Sequence, residues 1–384
     1  MTGKGTGAIS TIQVLGDTAE AVIKKIFEPT GKTTSEFKTG EILLGTICDG
    51  DKVIDQVTVG CEEPGTFAIN CHGNPLIVEM IMQLLGQYGV SLVTEEQVLT
   101  KILSSRETIN AIAVEAKLAQ LKAKTIQGTK IIANQIDAGL SKKAQNFIES
   151  MDGISLDIIK AEAIEILQKS QAAKLIIYGC TAVLTGPPNS GKSTLLNYLA
   201  GRQKAIVTDI KGTTRDWVEA TCQIEPLQLR LIDTAGLDEG LPATKDTIEE
   251  AARKKTTEIL EKADLVLLVL DNNQPAEELD VRLLERITDK RIITVLNKSD
   301  LPTKFDIGRL PQTLLSPVQI SAREGTGIEG LKEKIRKTTG ASDFDPQQPL
   351  CFTGRQENLL RQLTNAKSKQ QAASIITELL KGQI

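Results

Sequence analysis

The stretch GPPNSGKS (186–193) has the spacing G-x-x-x-x-G-K-S and lies between an apolar run ending at Leu184 and a helical run, TLLNYLAG. A glycine-rich turn that joins a buried strand to a helix is the setting in which this spacing cradles a polyphosphate. Gly186 and Gly191 let the backbone wrap so that its amides face inward, those around Ser190 and Thr194 included, and the helix N-terminus adds a favourable dipole. Lys192 is placed to reach the β- and γ-phosphates, and the Ser193 hydroxyl to bind Mg2+.

Around this loop, apolar runs alternate with helical ones. The strand-like runs are IIYGCTAVLTG (176–186), LQLRLIDTAG (227–236), DLVLLVLD (264–271), IITVLNKSD (292–300) and PVQIS (317–321). Such alternation predicts a parallel, doubly wound sheet. Its later runs carry the elements that read a base. In NKSD (297–300), Asp300 can accept from the N1–H and N2–H2 of guanine, a donor pair that adenine lacks, with Asn297 and Lys298 beside it. SAR (321–323) brings Ser321 and Ala322 to the place where a backbone amide covers the base. Asp233 closes a strand and is expected to hold the Mg2+ shell through water, while Gly236 offers an N–H to the γ-phosphate. GTTRD (212–216) supplies Thr214 as a Mg2+ ligand. In this order the elements predict a GTP site.

The flanking sequence is of two kinds. Residues 1–95 read as a small α+β domain, with strands at AISTIQVLG (8–16), EILLGTI (41–47) and TFAINCHG (66–73). Helices are expected at TAEAVIKKIF (18–27) and NPLIVEMIMQLLGQYG (74–89), the second capped by Asn74. Residues 96–173 are almost wholly helical in pattern. The linker SDFDPQQP (342–349) closes the α/β unit of 174–341, and 342–384 return to helix. A tail of that length could scarcely form a core alone. The predicted fold is therefore an α/β P-loop domain inserted into an all-helical domain, preceded by a small α+β N-terminal domain.

Composition narrows the class. The chain has 384 residues, a net charge of −4 and 40% hydrophobic residues, which suits a soluble protein and argues against a globally basic nucleic-acid binder. Six cysteines without CxxC spacing and a single histidine, His72, argue against a disulfide frame or a multi-histidine metal site. No apolar stretch approaches a membrane span and the N-terminus has no signal-peptide character, so the expected location is cytoplasmic, without a membrane partner.

With these elements in this order, the chain resembles the TRAFAC-class GTPases, and among them the MnmE (TrmE) family of tRNA-modification GTPases. The resemblance rests on Asn189 within G-x-P-N-x-G-K-S, on VTDIKGTTRDWVE (207–219), and on helices flanking the G domain behind an α/β domain that opens with GKGTG (3–7). It implies a K+ ion beside the phosphates, held by the Asn189 side chain, backbone carbonyls of Thr208 and Ile210, and a group of Thr213. DTAGLDEG (233–240) has Leu237 where many GTPases place a water-orienting Gln. The family instead uses a Glu on the following helix. Counting back from KADLVLLVLD places it at Glu249, with Glu250 the nearest competitor; counting forward from DTAG lands on Lys245. The resemblance further implies a homodimer through the N-terminal domain, an MnmG-like FAD-binding partner, modification of C5 of the wobble uridine in certain tRNAs as the task, and a folate one-carbon carrier.

Departures from the family bear on the last of these. The sequence ends in SIITELLKGQI without C-[IVL]-G-K, the strand arginine of the family falls on Gln13, its carboxylate on Ala68, and F-L-N-G-K has become ILSSRETIN (102–110). Losing an Arg, a Glu and a terminal Lys removes charge complementary to a folate, so no folate residues are assigned. Two readings result: a divergent tRNA-modification GTPase, and a dimeric regulatory or assembly switch that has lost the modification chemistry. A ribosome-assembly GTPase of the Era or Der type would share the motifs but not the N-terminal domain and split helices.

Overall fold

The computed structural model describes residues 7–31, 37–94, 97, 110–201, 206–207, 218–233, 258–275, 287, 289–342 and 344–382. The chain divides into two compact units, Met1–Val98 and Leu99–Ile384.

The first unit is built from β1 (Ile9–Leu15), α1 (Ala19–Ile26), β2 (Phe27–Pro29), β3 (Ile42–Asp49), β4 (Lys52–Glu63), β5 (Thr66–His72) and α2 (Pro75–Gln87). Its strands form an antiparallel sheet in the order β1-β5-β4-β3-β2. Alternation sorts the side chains: Ile12, Val14, Phe67 and Ile69 join Ile23, Ile26, Ile81 and Leu84 of the helices in one core. The Asn74 side chain accepts from the Leu76 amide at 3.0 Å, the cap expected from Asn-Pro. The 12-residue β4, central in the sheet, has no counterpart among the expected strands.

The second unit begins, within the described residues, with four helices: α3 (Ala111–Gln120), α4 (Ile126–Asp137), α5 (Gly139–Glu149) and α6 (Leu156–Tyr178). Asn110, Thr125 and Ser155 cap three of them with side-chain oxygens. The helix α6 corrects the sequence reading. Residues 176–178 were expected in a strand, but Ile176, Ile177 and Tyr178 finish the helix, and Gly179, at φ 86°, turns the chain into β6 (Cys180–Thr185). A short apolar run suits a buried helix face as well as a strand, and only the left-handed glycine marks the change. The switch of pattern read at Lys174 therefore falls inside a helix.

The sheet that follows has seven strands in the order β12-β11-β10-β6-β9-β8-β7. Besides β6 they are β7 (Ile206–Val207), β8 (Val218–Ile224), β9 (Leu227–Asp233), β10 (Leu265–Asp271), β11 (Ile292–Asn297) and β12 (Val318–Gln319), with α7 (Lys192–Ala200) after β6 and α8 (Ile328–Thr339) after β12. Strands β12, β11, β10, β6 and β9 pair in parallel, whereas β8 and β7 run antiparallel at one edge. Both faces are covered. Leu265, Leu267 and Val269 of β10 point into one core, while Val266, Leu268 and Leu270 point into another with Ile259, Leu260 and Phe305.

Helices α9 (Gly354–Thr364) and α10 (Lys369–Lys381) end the described chain. Leu359, Leu360, Leu363, Ile376 and Leu379 enter the same core as Ile112, Ile131, Ile159 and Ile176 of the earlier helices. Polar contacts reinforce this packing. The buried Gln135 side chain donates to Gln348 O and accepts from the amides of Leu140 and Leu350. The Asn134 side chain donates from Nδ2 to Gln347 O at 2.8 Å, so the stretch read as a linker is stapled to α4.

Candidate functional site

The phosphate loop follows β6 and opens α7. Gly186 has φ 141°, and a Cβ there would stand 2.1 Å from Val269 O of β10. Gly191 has φ 92°, and its Cβ would stand 2.2 Å from Asn297 Nδ2. Both positions combine a left-handed backbone with backbone or amide in the way, so only glycine fits. No side chain caps the N-terminus of α7. The uncapped first-turn amides of such a helix are a ready anion site.

Lys192 is buried, and its Nζ donates to Gly186 O and Pro187 O at 2.9 Å each, so the ammonium closes the loop on itself. Ser193 Oγ donates to Asp233 Oδ2 at 2.5 Å, which joins the end of β9 to the first turn of α7. A hydroxyl and a carboxylate at this spacing are hard oxygen donors of the kind Mg2+ takes together with phosphate oxygens. Asn189 is exposed at φ 58°, a conformation uncommon outside glycine but tolerated by asparagine. Its side-chain oxygen is a neutral donor. Ser190 is fully buried beneath it, and Thr194 is exposed on α7.

The base-reading residues stand at the ends of the neighbouring strands. Asn297, 3% exposed, donates from Nδ2 to Ser190 O and accepts at Oδ1 from the Ala322 amide, both at 2.9 Å. It thus clasps the phosphate loop to the SAR turn, and the Ala322 N–H is committed to that clasp. Lys298, at φ 64°, pairs through Nζ with Asp271 Oδ2 at 2.6 Å. The exposed Asp300 carboxyl is held below its ordinary range, first by a hydrogen bond from Ser321, with smaller help from Arg323 and Lys298. It therefore stays ionised as an acceptor throughout the neutral range. The Ser321 hydroxyl in turn accepts from the Glu324 amide, and a Ser321–Thr326 bridge closes the turn.

The structure thus brings Gly186, Asn189, Ser190, Gly191, Lys192, Ser193 and Thr194 together with Asp233, Asn297, Lys298, Asp300, Ser321 and Ala322. The proposed ligands Thr208, Ile210, Thr213 and Thr214, together with Gly236, Leu237, Lys245, Glu249 and Glu250, lie outside the described residues. Asp271 was not anticipated. Its signal was its place at the C-terminal end of a parallel strand, where open α/β sheets carry their ligand-facing residues.

A family model described as 50S ribosome-binding GTPase matches residues 181–298. Among solved structures, the G domain of the T. maritima FeoB iron transporter is similar at 32% identity, covering 41% of this chain and 98% of that one, with a TM-score of 0.34. The tRNA modification GTPase MnmE of Latilactobacillus sakei is 32% identical over 396 residues, 93% of this chain and 84% of that protein. The Bacillus subtilis protein of the same description is 32% identical over 377 residues, 88% and 81% of the two chains.

The chain belongs to the tRNA modification GTPase MnmE family. In this MnmE-family chain the N-terminal departures also have a place. Gln13 of β1 and Ala68 of β5 are direct cross-strand partners, so the two replaced positions are neighbours on one sheet. Gln13 donates to Glu62 at 3.1 Å. His72, the only histidine, presents Nδ1 to the buried Asp55 Oδ1 at 2.7 Å, and Asp55 Oδ2 accepts from the His72 amide. That bidentate hold fixes the end of β5 against β4 and gives His72 a structural part.

Proposed function

We infer that this chain binds and hydrolyses GTP as a tRNA-modification GTPase. The observation that carries the reading is the joined site, in which Asn297 clasps the phosphate loop to the base-reading turn. Likeness to tRNA modification GTPases along most of the chain supports modification over a switch that has lost it.

In this reading the α7 amides and Lys192 hold the β- and γ-phosphates, with Lys192 exchanging the loop carbonyls for phosphate oxygens. Asp300 accepts from the guanine edge. Ser193 and Thr214 would hold Mg2+, with Asp233 holding its shell through water, and the ion would supply charge neutralisation across the β- and γ-phosphates. Asn189, with Thr208, Ile210 and Thr213, would hold K+ in place of an arginine finger. Glu249 orients the attacking water through a second water, since Leu237 cannot hydrogen-bond. Hydrolysis would then drive domain rearrangement in a cytoplasmic homodimer formed through the N-terminal domain, working with an MnmG-like partner on tRNA. Among the described residues no helix is long and apolar enough to cross a membrane.

The proposed domain plan has the G domain inserted between helices α6 and α9. Packing of α9 and α10 with the earlier helices in one core supports it. The test is GTP turnover in K+ against Na+. Faster turnover in K+, with the difference abolished by Asn189→Ala, is expected; equal rates in both salts would sink the K+ assignment.

A further inference from the structure

The loop Asn297–Phe305 carries Asp300, and one residue outside it ties both of its ends. Asn272 follows β10 and is 2% exposed. Its amide donates to Asn297 O at 2.9 Å, at the loop's entry. Its carbonyl accepts from the amides of Lys304 and Phe305, at 2.9 and 3.1 Å, at the exit. Its side-chain Nδ2 donates to Thr303 Oγ1 at 3.1 Å. The preceding residue extends the frame. Asp271 accepts from the Asn273 amide on Oδ1 and from Lys298 Nζ on Oδ2.

These contacts bear on recognition because the loop is not otherwise rigid by composition. Lys298 sits at φ 64°, costly for a non-glycine residue unless its surroundings impose it. The Asp271 pair, the Leu301 amide on Lys298 O and the Ser299 amide on Ile320 O impose it. Asp300 is exposed and its carboxyl takes a hydrogen bond from Ser321, so its aim at a base depends on that hydroxyl and on the backbone that carries it. A carboxylate discriminates between bases only when it is held where both of its acceptor directions meet donors.

We propose that the Asn272 side chain is a positioning group for base selectivity, setting the aim of Asp300 by pinning the exit of the Asn297–Phe305 loop through Thr303, in addition to the backbone bonds that hold both ends and that any residue at 272 would make. The proposal rests on the GTP reading and adds to it the group that enforces guanine over a base lacking the 2-amino donor.

The test compares GDP with IDP, which keeps N1–H but lacks the 2-amino group, by isothermal titration of the full chain. The wild type should prefer GDP by about tenfold, the worth of one charge-assisted hydrogen bond. Asn272→Ala should shrink that ratio by about threefold or more, with kcat at saturating GTP within about twofold of wild type and the loss confined to KM. Thr303→Val removes the side-chain partner at an exposed position and should shrink the ratio in the same direction, so the proposal stays testable if Asn272→Ala fails to fold. Parallel loss of GDP and IDP affinity with an unchanged ratio would mean general support only and would overturn the proposal. A wild type without preference for GDP over IDP would also overturn the proposal, whereas a wild type that binds ADP as tightly as GDP would overturn the GTP reading itself, a distinct result.

Discussion

Replacing Arg355 by alanine should loosen the last two helices without touching the nucleotide site. Glu115 of α3 is 4% exposed, and its carboxylate accepts four hydrogen bonds: from Arg355 Nε at 3.0 Å and Nη2 at 2.8 Å, from Thr353 at 2.7 Å and from Gln356 at 2.8 Å. Arg355 also donates to Glu378 O and Leu379 O, near the C-terminal end of α10. The alanine variant removes two of those four bonds, the only charge paired with Glu115 in this cluster, and the donors on two carbonyls of α10. Breaking a buried ion pair costs about 3–5 kcal/mol. Since the Arg355 side chain is 22% exposed, the lower end applies, about 3 kcal/mol. Hydrogen exchange reads this directly: protection of the α9 and α10 amides should fall about 100-fold, as about 1.4 kcal/mol is tenfold. Adding Glu115→Ala should cost less than that substitution does alone, because the stranded charge is already gone. Protection unchanged to within about twofold would refute the view that this pair fastens the two helical segments.

Three further outcomes follow from particular residues. Gly191→Ala places a methyl 2.2 Å from Asn297 Nδ2 at a φ of 92° and should abolish binding of a fluorescent GDP analogue, whereas Gly330→Ala, with nothing near its Cβ, should not. Tyr178 donates to Phe352 O, and burial, with the Glu115 charge second, pushes its hydroxyl from 10.0 up to about 12. The protonated form is favoured in the fold, so its contribution is complete below pH 10 and is lost as pH rises through about 12; denaturation midpoints of Tyr178→Phe should fall less steeply over that window than those of wild type. Glu249→Ala should lower GTP turnover while leaving GDP affinity near wild type, and an unchanged rate would move the role to Glu250 or another group.

The phosphate loop was legible because its chemistry permits few alternatives: Gly186 and Gly191 occupy positions where a Cβ collides, and Lys192 and Ser193 stand at fixed offsets. Strands β10 and β11 were legible because residues buried on both faces give continuous apolar runs, and β9 because its buried leucines alternate with Gln228 and Arg230. The end of α6 was not, since Ile176 and Ile177 are apolar in either conformation. Nor was β4, whose Thr58, Gly60 and Cys61 lack the aliphatic density of the other strands. Contacts distant in sequence were hidden altogether. Nothing in the sequence around Glu115 points to Arg355, or around Asn272 to Thr303, because burial and partner are set by tertiary packing.

The central claim is that GTP held at this site serves tRNA modification. It is tested most directly by expressing the chain in a bacterial strain lacking its own MnmE and measuring wobble-uridine C5 modification by mass spectrometry. The account predicts that modified uridine returns with the wild-type chain and is absent with Lys192→Ala. Robust GTP hydrolysis by the wild-type chain with no modified uridine would contradict it.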